Sequence, residues 1–470
     1  MNGYGRGFST LTEERTAESL LIVGAIPDWL RGTLIRNGPG HFELGEGRVT
    51  HWFDGLAMLR KFSFADGDVT YSNHFLRTET YKARKQGNLG PGEFATAPAT
   101  GFLAKLKSIV VPETTDNANV TIGRVGGHMV ALTEVPRVVA FNPATLETHG
   151  EVSFDDDLTG HVMTAHVHHD DERNETVGLL TKFGKPSTYT IYRLPDGSLR
   201  REEVASLKVS RPAYIHSIGL TDRYVILVEA PFTVNPLSFL KLGNDGFIEH
   251  FTWDGTADTR FIIVDRERGR AVATPQTAAF FAFHHVNAFE RDDSIVLDLV
   301  AYPNPDIIDG LYLDRLERGE FKGLVGELRR YTLPTDDTGQ VECEPLSEIA
   351  MELPTISPTV RRQPHRYVYG QGSVIEGDGF SNYLVKADVA SGSAAIWTAQ
   401  ETFCGEPIFV PRPDATAEDD GVVLSVILDT AGEQSFLLVL DGETFVELAR
   451  APLPHVLPFD FHGEFFDCVW

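Results

Sequence analysis

Short segments rich in β-forming residues run through almost the whole chain, and they restrict the folds open to it more than any other feature. Many of these segments end at Gly, Pro, Asn or Asp, and the dipeptides Asp66-Gly67, Asp196-Gly197 and Asp441-Gly442 are typical of hairpin turns. The predicted strands are Gly32–Arg36, Ala57–Phe64, Val69–Tyr71, Gly127–Leu132, Val138–Phe141, Thr188–Arg193, Tyr224–Glu229, Phe261–Asp265, Ser294–Val300, Ser381–Lys386, Gly421–Leu428 and Ser435–Asp441.

Pairs of these strands recur as strand, turn, strand units, which predicts an all-β fold. Met129–Leu132 is followed by Val138–Phe141, and Leu424–Asp429 is followed by Phe436–Asp441. Such units are typical of the blades of a β-propeller, although the repeat is one of pattern and not of residue identity. A repeat architecture can reach 470 residues by adding units, and no linker interrupts the chain, so we expect a single domain over 1–470.

Helical periodicity is scarce and is confined to Phe102–Ser108 and Leu311–Gly319. The first of these, with the apolar residues that follow it to Val111, combines Lys105 and Lys107 with an apolar face. That composition fits a segment lying at a membrane surface, which would give peripheral membrane contact through 102–111. A short helix packed on the sheet is the alternative, because short apolar segments usually face a core.

The charge and the cysteines limit the possible partners and the possible cellular location. A formal net charge of −26 repels nucleic acid, so we expect no such partner. Lys supplies 11 of the 41 basic residues, which fits either a high-salt setting or the composition of an Arg-rich genome. Three widely spaced cysteines form no disulfide or zinc pattern, and the start has no signal-peptide shape, so we expect a cytoplasmic protein.

Four of the 16 histidines lie among apolar or aromatic neighbours, where burying an imidazole costs free energy unless it is hydrogen-bonded or ligates a metal. One such histidine alone indicates an ordinary hydrogen-bonded core residue, but four together favour a shared metal. They are His166, His216, His284 and His462. Because they are far apart in sequence, only an architecture such as a propeller, whose inner strands surround one axis, brings them together.

The expected metal and its surroundings follow from the chemistry of imidazole. Neutral imidazoles suit Fe, Cu, Zn or Ni, and they leave the charge of a divalent ion uncompensated. We therefore expect nearby carboxylates that accept the other ring N–H of the histidines. Glu134, Glu352 and Glu406 border apolar segments and are the candidates, with an exposed glutamate at a strand end as the alternative for each.

At these positions the sequence resembles the carotenoid cleavage oxygenases, over a stretch that runs from about Ile26 to the C-terminus. The motifs that carry the resemblance are the four histidine segments, Leu30-Arg31-Gly32-Thr33-Leu34-Ile35-Arg36-Asn37-Gly38-Pro39-Gly40, Trp52-Phe53-Asp54-Gly55 and Glu406-Pro407-Ile408-Phe409-Val410. Within that family the sequence is most similar to the branch of animal β-carotene oxygenases and the retinoid isomerase. It departs from this branch at Pro98-Ala99-Thr100-Gly101, where a Pro-Asp-Pro-Cys stretch is absent.

The resemblance implies a seven-bladed β-propeller with a small helical and loop cap over the active-site face. It implies Fe(II) bound by the four histidines named above, with Glu134, Glu352 and Glu406 bonded to them. A small apolar residue near an open coordination position would be Val120. Phe102 and Phe247 are the candidates for the walls of a substrate tunnel.

The implied reaction is cleavage of a carbon–carbon double bond of a carotenoid by O2 to give two carbonyl products. β-Carotene cut centrally to retinal is the leading expectation, and an apocarotenoid, an eccentric cut and a stilbene stay open. Two functions of other kinds compete with cleavage: a retinoid ester isomerase with the same iron centre, and a propeller that serves only as a binding platform. The sequence predicts no oligomeric state.

Overall fold

The strands form seven antiparallel sheets that are the blades of a β-propeller, in the parts of the chain that the structure describes. The structure is a computed structural model, and it describes residues 3–89, 93–97, 114–240, 246–321, 326–336, 339–373 and 379–470. The all-β prediction and the seven blades implied by the resemblance are thereby confirmed.

The blades follow one another along the chain, and we number them 1 to 7. Their strands, in chain order, are Arg15–Ser19, Gly32–His41, Leu56–Ala65, Asp68–Phe75 and His462–Phe466 in blade 1; Thr121–Val125, His128–Leu132, Val138–Phe141 and Thr148–Val152 in blade 2; Val162–Met163, His168–Asp170, Glu175–Lys182, Ser187–Pro195 and Glu202–Val209 in blade 3; Gly219–Leu220, Tyr224–Glu229, Thr259–Asp265, Arg270–Ala273 and Gln276–Thr277 in blade 4; His285–Arg291, Ser294–Ala301, Glu327–Pro334 and Glu342–Pro345 in blade 5; Glu352–Thr355, Tyr367–Gly372, Tyr383–Asp388 and Ser393–Trp397 in blade 6; and Val23–Gly24, Thr402–Cys404, Ile408–Pro411, Gly421–Asp429, Gln434–Asp441 and Glu447–Pro452 in blade 7.

Strands from both ends of the chain complete the ring. His462–Phe466 is the innermost strand of blade 1, where it pairs with Gly32–His41. Val23–Gly24 is the outermost strand of blade 7, where it pairs with Glu447–Pro452. Blades 1 and 7 therefore each contain strands from opposite ends of the sequence, which ties the first blade to the last.

Helices and short loops lie outside the blades. The α-helices are Glu79–Lys85, Asp306–Gly310 and Leu313–Arg318; the 3-10 helices are Gly3–Phe8, Trp52–Asp54, Pro236–Leu240, Ile248–His250 and Pro358–Val360; and two small hairpins pair Glu43–Leu44 with Gly47–Arg48 and Phe232–Val234 with Phe251–Trp253. Several of these elements pack their apolar side chains into one buried cluster, which includes Trp52, Phe232, Phe251, Ile307 and Leu313. The elements in this cluster correspond to the predicted cap. None of the described helices has the length and apolar character that crossing a membrane requires.

Local turn chemistry explains why the predicted strands were largely correct. Asp66 and Gly67 have φ angles of 55° and 82° and form the two-residue turn between Leu56–Ala65 and Asp68–Phe75. Asp and Gly adopt such angles readily, and the resulting twist suits a hairpin. Between blades, apolar faces pack together, as Leu34 of blade 1 does in one cluster with Leu424 of blade 7.

Two of the predicted elements need correction. The strand expected at Ser381–Lys386 is Tyr383–Asp388, because Ser381 has a φ of 36° and its hydroxyl donates to the Cys404 carbonyl. The helix expected at Leu311–Gly319 is Leu313–Arg318, ended by Gly319 at a φ of 72°. The predicted helix Phe102–Ser108 lies outside the described residues.

Candidate metal centre

Four histidines from four different blades meet where the inner strands come together. They are His166 in blade 3, His216 at the start of blade 4, His284 at the start of blade 5 and His462 in blade 1. Each offers one nitrogen, and these four atoms all lie within 4.8 Å of one another. The histidines selected from their apolar sequence neighbours therefore form a single cluster.

The arrangement of the ring nitrogens fits a metal ion. His216 and His284 each direct Nδ1 at a carboxylate, so Nδ1 carries the proton and Nε2 carries a lone pair. The two Nε2 atoms are nevertheless only 3.3 Å apart, and His166 Nε2 lies 3.0 Å from His216 Nε2. Lone pairs that face each other at this distance repel unless a cation lies between them. Four imidazole nitrogens suit a transition metal such as iron, copper, nickel or zinc.

The three predicted glutamates lie behind three of these histidines. Glu134 accepts from His216 Nδ1 at 2.6 Å, Glu352 from His284 Nδ1 at 2.6 Å, and Glu406 from His462 Nδ1 at 2.7 Å. Such contacts fix the ring orientation, hold the tautomer that presents Nε2, and supply negative charge close to a bound cation. No carboxylate in the described ranges lies within ion-pair distance of His166.

Two tyrosines lie beside the glutamates, and neither was predicted. The Tyr214 hydroxyl lies 2.9 and 2.8 Å from the two carboxylate oxygens of Glu134. Tyr302 is buried beside Glu352, and burial, followed by the Glu352 carboxylate, raises the pKa of Tyr302 well above its usual value. Tyr214 lies two residues before His216, so a tyrosine close to a candidate ligand was the only available signal. Tyr302 carries no such signal.

A buried ion pair supports the third glutamate. The Arg36 guanidinium donates to both carboxylate oxygens of Asp460, with Nε–Oδ2 and Nη2–Oδ1 distances of 2.7 and 2.6 Å. Its Nη1 lies 3.1 Å from the Glu406 carbonyl oxygen and 3.5 Å from the Glu406 carboxylate. Arg36 is completely buried. Arg36 therefore helps to hold Glu406, which accepts the hydrogen bond from His462, in position.

Burial favours the neutral form that a metal requires in two of the imidazoles, those of His166 and His462. It lowers the pKa of His166 well below its usual value, and it lowers the pKa of His462 to about 3. Burial also raises the pKa of Glu406 to about 8, against the opposing effect of Arg36. Burial favours the protonated form of Glu352 too, but His284 and the surrounding donors outweigh it and lower that pKa. A cation at the cluster would further favour the charged form of both carboxylates, those of Glu352 and Glu406.

The neighbouring histidines have other partners. His168 bonds to the Ile218 carbonyl through Nε2 at 2.8 Å, and His285 bonds to the Ser217 hydroxyl through Nδ1 at 2.6 Å. Neither belongs to the cluster of four.

A cavity of about 720 Å³ reaches the histidine cluster, and apolar side chains form most of its wall. Phe247, a predicted wall residue, lines it, as does Val120, whereas Phe102 lies outside the described residues. His216, His284 and His462 also line it, so a molecule in the cavity would lie against the candidate metal position. This shape suits a long apolar ligand.

Comparison with known proteins identifies the family. Residues 7–467 match the sequence model of the family described as retinal pigment epithelial membrane protein. The chain is 32% identical to human β,β-carotene 15,15'-dioxygenase, covering 96% of this chain and 92% of that protein. It is 31% identical to the chloroplastic carotenoid cleavage dioxygenase 8 of Arabidopsis thaliana, covering 97% and 85%.

Solved structures agree with this assignment. A variant of the apocarotenoid oxygenase of Synechocystis superposes with a TM-score of 0.87 at 30% identity, over 99% of this chain and 98% of that one. The cobalt-substituted form of the same oxygenase gives a TM-score of 0.86 at 30% identity and the same coverage. With the family model, the fold and these relatives in agreement, the chain belongs to the carotenoid cleavage oxygenase family of enzymes.

Proposed function

We propose that this protein is an iron(II)-dependent dioxygenase that cleaves a carbon–carbon double bond of a carotenoid to give aldehyde products. The observation that carries the proposal is the cluster of four imidazole nitrogens within 4.8 Å, backed by three Glu–His hydrogen bonds. Imidazoles without a directly bound carboxylate or thiolate fit Fe(II), and His166, His216, His284 and His462 would hold it. A cobalt-substituted relative supports a metal at this kind of site.

The leading substrate is β-carotene, cut at its central double bond to retinal. The name of the human relative supports this choice, as does the apolar wall of the cavity. An apocarotenoid is the second candidate, since the Synechocystis relative is an apocarotenoid oxygenase. An eccentric cut would use the same iron centre with the polyene shifted along the cavity.

Iron bound at the cluster would supply the activation of O2. The chain itself would position the polyene, exclude water and keep the imidazoles oriented. Glu134, Glu352 and Glu406 hold the Nδ1 protons, so that each Nε2 faces the metal position. Phe283 and Phe461 line the cavity beside the cluster and keep it apolar. No side-chain nucleophile or general base is required.

The test is an assay of the iron-loaded protein with β-carotene in detergent, in air, with chromatographic identification of products. We expect retinal as the sole product, accompanied by consumption of O2. Formation of two apocarotenals of unequal length would support the iron chemistry and would show that the cut lies away from the central double bond. Absence of product despite one bound iron per chain would exclude β-carotene, and conversion of a retinyl ester without O2 uptake would identify an isomerase. Failure to bind iron would favour a non-enzymatic propeller.

We also propose that the protein contacts a membrane surface at the entrance of the cavity. The predicted membrane segment 102–111 lies outside the described residues, but a second apolar element lines the entrance. Leu237 and Leu240, in the short helix Pro236–Leu240, are 60% and 55% exposed and line the same cavity. Exposed leucines at the opening of a cavity for a lipid-soluble substrate fit insertion into the outer layer of a bilayer.

Replacing both leucines with aspartate is expected to lower binding to phospholipid vesicles at least about tenfold, since burying each leucine contributes roughly 1.5–3 kcal/mol. Flotation of vesicles in a density gradient measures the bound fraction. Val446→Asp is the control, because Val446 is 61% exposed but does not line the cavity. Equal flotation of the wild type and the double variant would contradict membrane contact at this entrance.

A further inference from the structure

The exposed residues that line the cavity, among those that the structure describes, mark its entrance, and several of them carry hydrogen-bond donors. The exposed lining residues are Gly184, Lys185, Ser210, Asn235, Leu237 and Leu240. His161 lines the same part of the cavity, beside Phe183. In a chain with 11 lysines and a net charge of −26, a lysine at the entrance of an apolar cavity is an uncommon placement.

The His161 ring is held so that it presents a donor. The Phe183 backbone N–H donates to His161 Nδ1 at 3.0 Å, so the ring proton must be on Nε2. The ring also stacks on Phe183, with centroids 5.6 Å apart and planes 21° from parallel. Burial and the nearby Lys182 lower the pKa of His161, which keeps the ring neutral. His161 Nε2–H has no hydrogen-bond partner among the described residues.

The other donors at this end also lack acceptors of their own. Within the described ranges, Lys185 Nζ has no ion-pair or hydrogen-bond partner. Asn235 uses its side-chain oxygen to accept from the Leu237 N–H at 3.1 Å, which leaves its amide N–H groups available. None of the described residues that line this end is acidic; Glu134 and Glu352 line the cavity only at the histidine cluster.

The opposite end of the cavity is different in chemistry. Trp52, Phe321, Phe380 and Phe461 form its buried aromatic wall. Ser373 and Ser381 at this end have protein partners: Ser373 accepts from the Ser381 N–H, and Ser381 donates to the Cys404 carbonyl. The buried Trp52 Nε1–H is the exception, with no hydrogen-bond partner among the described residues. The two ends therefore suit different groups, an oxygen acceptor at the entrance, where several donors lie, and a largely hydrocarbon group at the aromatic buried end.

We propose that His161, assisted by Lys185, selects substrates whose entrance-side end carries an oxygen acceptor, namely a hydroxyl or carbonyl group on the polyene or its ring. The inference rests on the proposed function and adds to it a preference among carotenoids. Phe183, Phe239 and Phe247 form a contiguous aromatic wall next to His161, with centroid distances of 5.0 Å for Phe183–Phe239 and 5.8 Å for Phe239–Phe247. A ring would pack on this wall while its oxygen accepts from His161 Nε2.

The experiment measures kcat and KM of the iron-loaded enzyme with β-carotene, with the dihydroxylated carotenoid of the same chain length, and with an apocarotenal. The variants are His161→Phe, which keeps the stacked ring and removes the donor, and Lys185→Met, which keeps the alkyl stem and removes the charge. Loss of one hydrogen bond of ordinary strength is expected to raise KM for the oxygenated substrates about fivefold, with kcat and the β-carotene constants unchanged. His161→Gln, whose amide N–H reaches about as far as Nε2, is expected to restore part of the preference.

Phe239→Leu is the matched control, because it alters the aromatic wall without touching a donor and should affect all three substrates alike. Wild-type enzyme that cleaves the three substrates with equal KM, or a His161→Phe variant that changes all three equally, would overturn the inference while leaving the proposed function intact. Absence of cleavage of every carotenoid by iron-loaded wild type would contradict the proposed function itself.

Discussion

Replacing His284 with alanine is expected to abolish stable metal binding and to reduce carotenoid cleavage at least about 100-fold. Disturbing a residue that merely supports a ligand already costs about 10–100-fold in metal affinity or activity, and removal of a ligand costs more. The substitution also leaves the Glu352 carboxylate without its Nδ1 partner at 2.6 Å, inside a buried site. Metal per chain, measured by plasma mass spectrometry after dialysis, and product formed from β-carotene give two independent readouts.

A graded comparison separates ligation from support. Glu352→Gln keeps the shape of the side chain and all four histidines but removes the negative charge behind His284, so we expect an intermediate loss of metal affinity of about 10–100-fold. His128→Ala is the control for loss of a histidine, because His128 is exposed and outside the cluster. Full metal occupancy and full activity in His284→Ala would contradict the assignment of His284 as a ligand.

The four clustered histidines were predictable because their signal is local. Each of the four histidines stands among apolar residues, which makes burial expected, and a buried imidazole needs a partner. The glutamates were predictable for the same reason, since an acid that borders apolar residues is uncommon. These positions converge only because the chain folds as a propeller. The strand, turn, strand pattern and the family resemblance together predicted that fold.

The residues that the sequence did not indicate are those whose role depends on distant pairing. Tyr302 is one aromatic among many, and only the folded chain shows that it lies beside Glu352. The helix Glu79–Lys85 was also not predicted, because its residues are mostly polar; its start depends on Thr78, whose side chain accepts from the Tyr81 N–H. Arg36 lies on a strand of mixed composition, and its partner Asp460 is 424 positions away.

Arg36→Met is expected to lower the free energy of unfolding by about 3–5 kcal/mol, the largest stability effect that we predict. The substitution removes one member of a buried ion pair and leaves Asp460 charged and unpaired at 4% exposure, which is the costly case for buried charges. Arg60 also favours the charged form of Asp460, but it forms no ion pair with Asp460, and its Nη2 donates to the carbonyl oxygens of Pro39 and Pro458. Gly463 packs against the Arg36 side chain, so the loss reaches the strand that carries His462.

The control for Arg36→Met is Arg31→Met, five residues earlier in the same motif. Arg31 pairs with Asp66 at 3.3 Å, but the two side chains are 59% and 89% exposed, and such pairs contribute about 0–1 kcal/mol. Urea unfolding followed by circular dichroism compares the two variants.

Because Arg36 joins strands from both ends of the chain, and because we propose that 1–470 is a single domain, the whole transition should shift to lower urea without splitting. A second readout is iron content, which should fall in Arg36→Met alone, since Arg36 lies 3.5 Å from the carboxylate that orients His462. Equal unfolding midpoints for the two variants would show that the buried pair does not stabilise the closure of the ring, and a split transition would contradict the single domain.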